Sequence, residues 1–388
     1  MTFDFEDLLA EASQRAGGLQ DFGPEDFREP MRRLLTALEE EADLNEMGRV
    51  TQRERILGLL VARLRTEEYI ERYPEILEEK VGPSFSIIGL GRTGTTMLHR
   101  MLSSDDRLFS LRWYESRNPA PLPGSDGSEE VDPRIRDAEA EIEMMLEASP
   151  ELIAAHPMDA HAPDEEIMLL EHAFMSGNPE AFCSVPKYAR RLEDEDATPG
   201  YAYMDRLLCF LQWQKKRAGQ QADRWVLKTP HHIGFLAPFF EIFPEAKVVL
   251  THRDPIQTIP SMCSLIHSIR VLNSDRVDQR EIGEQWSSRL VRMMDRCIDL
   301  HDQFPDRFLD LQYRDLIADP MVGARQIYDF VGMAWTPEAE AGMREWAVEN
   351  SRDKRPVHSY TLEQYGFTEE GLRKQFARYY ERFIDPEL

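Results

Sequence analysis

The chain is poor in cysteine and lacks any long apolar run. Its four cysteines form no Cys-x-x-Cys pair, so we expect reduced thiols rather than a disulfide framework. No apolar run approaches the ~18 residues of a membrane span. The acidic N-terminus lacks the basic and apolar regions of a signal peptide. These absences favour a cytoplasmic protein that does not span a membrane.

The chain is also poor in positive charge. Its 46 lysine and arginine residues are outnumbered by 71 aspartate and glutamate residues, which gives a net charge of −25. Such a charge repels nucleic acids and anionic membrane surfaces at long range, so we expect neither as a partner. Any anionic ligand has to bind in a local basic pocket.

A phosphate-binding loop is the most informative pattern that the chain does contain. An apolar run precedes Gly-Leu-Gly-Arg-Thr-Gly-Thr-Thr (89–96), and apolar residues at helical spacing follow it. A strand, a glycine-rich turn and a helix start aim backbone N–H groups at an anion. The spacing from Gly89 to Gly94 matches GxxxxGK[ST], but Thr95 replaces the lysine and the nearby cation is Arg92. The loop therefore predicts a phosphate-containing ligand other than ATP.

A second motif follows another apolar run, Ala246–Leu250. It reads Thr-His-Arg-Asp-Pro (251–255), and Ser261 lies eight residues after Arg253. With the loop, it resembles the sulfotransferases that use 3′-phosphoadenosine 5′-phosphosulfate (PAPS). The resemblance is to bacterial members and, in motif, to the tyrosylprotein branch, and it extends in scattered blocks from about residue 84 to residue 383.

The resemblance implies in-line transfer of a sulfuryl group from PAPS to a hydroxyl, or less readily an amine, of a small-molecule or lipid acceptor. The product would be adenosine 3′,5′-bisphosphate. Arg253 and Ser261 would bind the 3′-phosphate. Lys228, 25 residues before Arg253, would neutralise the leaving oxygen. The 5′-phosphosulfate would be held by the loop residues Arg92, Thr93, Gly94, Thr95 and Thr96, with Arg92 at the transferring group.

Two kinds of residue are candidates for the base that deprotonates the acceptor. Glu115 lies 23 residues after Arg92, in a segment that resembles the one carrying the base glutamate in the tyrosylprotein branch. A carboxylate shielded from water has a raised pKa, which suits this role. The cytosolic branch uses a histidine, so His156 and His161 stay open as bases and as substrate-binding residues.

Three residues near the C-terminus complete the predicted nucleotide site. Tyr313 matches a family tyrosine near the nucleotide, and Lys354 and Arg355 correspond to the loop that closes over the 3′-phosphate. No set of His, Cys, Asp or Glu residues has metal-ligand spacing, so we expect no metal. Core positions or an apolar acceptor pocket would both explain Trp113, Tyr114, Met144, Met145, Phe174, Met175 and Met262.

Apolar periodicity divides the chain into two predicted parts. Residues 1–82 carry helical spacing and predict a helical N-terminal extension that packs on the main domain or, alternatively, forms a homodimer surface. Residues 83–388 predict an α/β domain, a P-loop-type parallel sheet flanked by helices. Its predicted strands are 85–88, 225–228, 247–251 and 308–311, and its predicted helices include 133–148, 165–175, 201–217 and 284–304.

Two other functions compete with sulfuryl transfer. A P-loop kinase or nucleotide hydrolase needs the missing loop lysine and a Mg²⁺-binding aspartate, for which only Asp310, within a strand, is plausible. A non-catalytic nucleotide-binding relative would use the N-terminal helices to bind a partner. Against that reading, the chain retains Arg92, Glu115, Lys228, Arg253 and Ser261 together.

Overall fold

The computed structural model describes residues 2–82, 84–122, 125, 131–148, 158–350 and 360–385. At its centre lies a parallel sheet in the spatial order β2-β3-β1-β4-β5. Its strands are β1 (Phe85–Gly89), β2 (Leu108–Phe109), β3 (Arg224–Lys228), β4 (Lys247–His252) and β5 (Phe308–Gln312). The predicted α/β class with a parallel sheet is therefore confirmed.

Helices precede the sheet and cover both of its faces. The α-helices are Phe5–Arg15, Arg28–Glu40, Glu46–Arg72, Thr95–Leu102, Trp113–Arg117, Pro133–Ala148, Ile167–Glu171, Asn178–Phe182, Pro186–Asp194, Thr198–Arg217, Leu236–Ile242, Pro255–Arg270, Gln279–Gln303, Tyr313–Ala318, Pro320–Val331, Pro337–Glu349, Glu369–Gln375 and Ala377–Tyr379. Short 3-10 helices lie at Glu25–Phe27, Pro74–Glu78, Pro230–Gly234, Pro305–Arg307 and Glu363–Tyr365, and a π-helical turn at Tyr380–Ile384.

The central strands are apolar on both faces because helices bury both faces. Along β1, Phe85 and Ile87 pack into one cluster, while Ile88 packs into the other. In β4, Val249 faces the first cluster, and Val248 and Leu250 face the second. Side chains alternate along a strand, so the two clusters lie on opposite sides of the sheet.

The N-terminal helices pack on the rest of the chain through one shared cluster. Met31, Leu35 and Leu60 are buried with Phe174 and Tyr188, which belong to the segment after the sheet's first strands. Arg63 of helix Glu46–Arg72 also contacts this segment, because its guanidinium donates to the carbonyl oxygen of His172 at 2.7 Å. The division of the chain near residue 82 into two domains stays a prediction.

Two local differences from the sequence expectations have physical reasons. The helix predicted over 165–175 is confined to Ile167–Glu171, since Phe174 takes the left-handed conformation (φ 55°) and cannot continue it. Strand β2 was not predicted because two residues are too short for a periodic signal.

In the described parts of the chain, no helix combines the length and apolarity needed to cross a membrane. Nor do those parts group three or more His, Cys, Asp or Glu side chains in a way that could hold a metal ion.

Candidate active site

The candidate site lies at the carboxyl ends of the three central strands. β1 pairs with β3 on one side and with β4 on the other. The chain passes from β1 to one side of the sheet and then crosses to the other, so this edge is a topological switch point, where open α/β sheets bind ligands. The phosphate loop, Lys228 and Arg253 all follow directly from these strand ends.

The conformation of the phosphate loop depends on its glycines and on the hydroxyls of Thr93 and Thr251. Gly94 has φ +85°, a left-handed conformation that glycine adopts without strain. The Thr93 hydroxyl donates to the Leu90 carbonyl at 2.7 Å and accepts from the Thr251 hydroxyl at 2.7 Å. A Cβ on Gly89 would lie 2.3 Å from Thr251 Oγ1, so a larger residue does not fit. Helix Thr95–Leu102 then begins without a side-chain cap, with the N–H groups of its first turn at the loop.

Arg92 adopts the left-handed conformation (φ 71°), which is uncommon for a residue with a side chain. Such conformations cost free energy and cluster at functional sites. Its carbonyl oxygen accepts from Arg253 Nη1 at 2.8 Å, which joins the two basic motifs.

Lys228 reaches the loop from the end of β3. Its side chain is 1% exposed, and its ammonium donates to Thr96 Oγ1 at 3.3 Å and forms an ion pair with Glu165. The second oxygen of Glu165 accepts from the Thr229 hydroxyl at 3.1 Å. Glu165 therefore lies beside the predicted transfer point.

A buried hydrogen-bond chain fixes the end of β3. Glu166 accepts from the Lys228 N–H at 2.8 Å and contacts His232 Nε2 at 2.8 Å. The Tyr201 hydroxyl, whose pKa is raised by burial, forms a hydrogen bond with His232 Nδ1 at 2.7 Å. Because a carboxylate oxygen accepts, His232 Nε2–H donates to Glu166.

Of the predicted 3′-phosphate residues, Arg253 lies next to the loop. Arg253 Nε donates to Gln257 Oε1 at 3.0 Å, and its guanidinium lies 4.2 Å over the ring of Tyr313. That ring also borders Gly94, whose added Cβ would lie 3.3 Å from it. Ser261 is buried two turns into helix Pro255–Arg270. The structure thus places Arg253 and Tyr313 at the phosphate loop.

The structure places the Glu115 side chain outside the lining of the cavity. Both of its oxygens are engaged: one accepts from the Arg112 N–H at 2.8 Å, and the other forms a buried ion pair with Lys215. On the five-residue helix, Trp113 and Arg117 are four residues apart and share the face that borders the cavity. Glu115, halfway between them, points away from that face.

His161 also lies outside the lining of the cavity. Its side chain is 62% exposed, and its Nε2 lies 4.0 Å from the Glu139 carboxylate. His161 lies two residues before Pro163, which forms an isolated antiparallel bridge with Arg112. His156, Lys354 and Arg355 lie outside the described residues.

A cavity of about 300 Å³ extends from the phosphate loop and Glu165 into an apolar interior. Trp113, Met145 and Met262 border it as predicted. Met144 is exposed and Phe174 belongs to the N-terminal cluster, so these two are not pocket residues. Its other apolar walls are Met158, Ile167, Met168, Ala181, Phe182, Leu265, Ile266, Ile269, Leu290 and Met293.

Sequence reasoning assigned no role to several residues with polar groups that border this cavity, among them Glu165, His231 and Trp286. One feature of the sequence could have indicated Glu165 as a site residue: it stands in an Asp-Glu-Glu run directly after a predicted loop. His231 and Trp286 had no such feature, because each looks like an ordinary core position of its helix.

Comparisons with known proteins identify the family of the chain. The model of the sulfotransferase family matches residues 83–337. The crystal structure of sulfotransferase STF1 from Mycobacterium tuberculosis is 32% identical, covers 96% of this chain and 98% of that one, and has a TM-score of 0.83. Sulfotransferase STF9 from Mycobacterium avium is 28% identical, with coverage of 98% and 96% and a TM-score of 0.86.

A relative named omega-hydroxy-beta-dihydromenaquinone-9 sulfotransferase Stf3, from Mycobacterium bovis, is 26% identical over 309 residues. The match covers 76% of this chain and 75% of that protein. The family model spans well over half of the chain, and STF1 matches along nearly all of it. The chain belongs to the sulfotransferase family.

Proposed function

We propose that the protein transfers a sulfuryl group from PAPS to the hydroxyl of an apolar, lipid-like acceptor. The observation that carries this proposal is the contact of Lys228 with Thr96 and Glu165 at the point where the phosphate loop meets an apolar cavity. Donor, base and acceptor would therefore meet at one place.

The residues present fit a nucleotide with phosphates at both ends. The loop N–H groups with Thr95 and Thr96 would hold the 5′-phosphosulfate. Arg253 and Ser261 would hold the 3′-phosphate. Two N–H groups of Arg253 are used by Arg92 and Gln257, so three of its five donors have no partner among the described residues. The ring of Tyr313 packs against the Arg253 guanidinium, 4.2 Å from it.

The transfer needs positioning and charge stabilisation more than covalent chemistry, by analogy with phosphoryl transfer. The acceptor oxygen attacks sulfur as the bond from sulfur to the bridging oxygen of the 5′-phosphate breaks. Lys228 and Arg92 stabilise the negative charge on the leaving oxygen and the sulfuryl group. The hydroxyl proton passes to Glu165, and adenosine 3′,5′-bisphosphate leaves.

We assign the base to Glu165 rather than Glu115 on geometry. Glu165 borders the cavity and is linked through Lys228 to the loop. Glu115 borders neither and is held by Arg112 and Lys215.

The cavity supports an apolar acceptor. Its walls are mainly methionine, isoleucine and leucine side chains, and apolar walls with a few polar groups are typical of small-molecule sites. The Stf3 relative, named for a hydroxylated dihydromenaquinone, fits the same class of acceptor. A hydroxyl is expected to react ahead of an amine.

The donor is tested by calorimetric titration with adenosine 3′,5′-bisphosphate beside ATP with Mg²⁺ and adenosine 5′-monophosphate. We expect micromolar binding of the bisphosphate, with the 3′-phosphate essential and ATP weak. Tight binding of ATP–Mg²⁺ without a response to the bisphosphate would refute the proposed donor.

The base is tested by a matched pair of variants, Glu165→Gln and Glu115→Gln, with labelled PAPS and a long-chain alcohol. Loss of general-base catalysis lowers kcat about 10²–10⁴-fold. We expect this loss in Glu165→Gln with bisphosphate affinity retained, and at most a small loss in Glu115→Gln. The reverse result would return the role to Glu115.

A further inference from the structure

One wall of the apolar cavity lies against the N-terminal helices. Asn178, Ala181 and Phe182 line the cavity, and all three belong to the short helix Asn178–Phe182. Phe182 also packs against the cluster that the N-terminal helices share with the rest of the chain. The short helix therefore lies between the N-terminal helices and the cavity, so contacts behind it can set its position.

Arg55, on helix Glu46–Arg72, makes the main polar contact behind this wall. Its guanidinium lies 3.9 Å from the centre of the Phe182 ring. Its Nε donates to one oxygen of Glu171 at 3.0 Å, and its Nη2 donates to the other. Asn178 Nδ2 donates to the same carboxylate, whose side chain is only 3% exposed. A buried bidentate pair has a fixed geometry, so it holds both Asn178 and Phe182 in place.

The same helix contacts a second wall of the cavity. Helix Pro255–Arg270 lines the cavity with Ile269, among other residues, and Asn273 follows directly after this helix. Gln52 Nε2 donates to Asn273 Oδ1 at 3.0 Å. A Cβ on Gly48 would lie 2.1 Å from the Asn273 carbonyl oxygen, so the two backbones are in direct contact there.

We propose that helix Glu46–Arg72 belongs to the acceptor-binding part of the protein, with Arg55 as a positioning residue that sets the shape of the cavity. This inference rests on the proposed function, because it takes the cavity as the acceptor site. Arg55 does not itself line the cavity, so it acts through Asn178 and Phe182. Protein interiors are closely packed, so a change behind a wall alters the space in front of it.

A second ion pair of the same helix provides a matched control. Arg206 Nε and Nη2 donate to the two oxygens of Glu67, which is also 3% exposed. This pair joins helix Glu46–Arg72 to helix Thr198–Arg217, and neither partner lines the cavity. Replacing either arginine by lysine keeps the positive charge and removes the planar fork. The variants Arg55→Lys and Arg206→Lys therefore differ in whether the disturbed pair lies behind the cavity.

The readout is the ratio of kcat/KM for 1-decanol to kcat/KM for 1-hexanol, measured with labelled PAPS. The fraction of folded enzyme cancels in this ratio, so a loss of stability alone does not change it. Each buried methylene is worth roughly a factor of four, so losing close contact with two of them lowers the ratio about tenfold. We expect this fall in Arg55→Lys, whereas Arg206→Lys should stay within about twofold of the wild type.

A second pair of variants tests the contact with Asn273 independently. Gly48→Ala forces the two backbones apart, whereas Gly58→Ala, on the same helix, meets nothing within 4 Å. We expect the ratio to fall in Gly48→Ala and to persist in Gly58→Ala. Calorimetric titration with adenosine 3′,5′-bisphosphate shows that each variant is folded, and its affinity should remain unchanged in all four.

Each outcome decides the inference. If the wild type sulfates both alcohols and the ratio is unchanged in Arg55→Lys and Gly48→Ala, the role of the helix is refuted while the proposed function stands. An equal fall in Arg206→Lys also refutes it, because the effect would then not depend on the cavity wall. If the wild type sulfates neither alcohol, the proposed acceptor class and this inference both fall.

Discussion

Replacing Lys215 by methionine should destabilise the protein because it leaves the Glu115 carboxylate buried without its cation. The side chains of Glu115 and Lys215 are 5% and 10% exposed. Breaking a buried ion pair by removing one partner costs about 3–5 kcal/mol. For a chain of 388 residues, this free energy corresponds to a fall in Tm of about 4–6 °C.

The double variant Glu115→Gln/Lys215→Met separates the buried charge from the loss of packing. The glutamine amide oxygen can still accept from the Arg112 N–H, which Glu115 accepts in the wild type. Without a buried charge, the loss should shrink to about 1–2 kcal/mol. Thermal and urea unfolding of the wild type and both variants measure these differences, and the transfer assay runs on the same samples.

Two results would refute this reasoning. A single variant that loses less than about 1 kcal/mol, or a double variant as unstable as the single one, would show that the carboxylate is not dependent on Lys215. A folded double variant with transfer reduced by more than about 10²-fold would instead show that Glu115 acts in the reaction.

Three further predictions follow from single positions. Burial raises the pKa of Asp205 to about 6, so ionisation of this carboxyl opposes folding at pH values above its unfolded pKa. Asp205→Asn should therefore raise the free energy of unfolding by up to about 3 kcal/mol at pH 8 and by about half of that at pH 5. Urea unfolding at both pH values measures the difference. Gly89→Ala should abolish bisphosphate binding in calorimetry because its Cβ would meet Thr251, whereas Gly58→Ala, which meets nothing within 4 Å, should bind normally. Arg253→Lys should weaken the bisphosphate at least about tenfold by losing the planar fork, with adenosine 5′-monophosphate unaffected.

The donor side of the site could be predicted from the sequence because its motifs are local. The loop from Gly89 to Thr96 is contiguous, and Arg253 follows directly from its own strand. A contiguous strand, turn and helix start places its turn residues at the carboxyl edge of the sheet, independently of distant segments of the chain. Lys228 was predicted for the same reason, since it is the last residue of β3.

The acceptor side could not be predicted because distant segments build it. Glu165 reaches the loop only through Lys228, 63 residues later, and Trp286 comes from a long helix further on. Glu115 lies 23 residues after Arg92, but this spacing along the sequence does not give the direction of the side chain on the five-residue helix Trp113–Arg117. On a helix, side chains two positions apart point to nearly opposite faces.

Helix Pro255–Arg270 serves both halves of the reaction. It carries Ser261, which we propose binds the 3′-phosphate, and the residues that follow at helical spacing, Met262, Leu265 and Ile266, form a wall of the cavity. Substitutions on that wall can reshape the range of alcohols accepted while the nucleotide contacts stay in place.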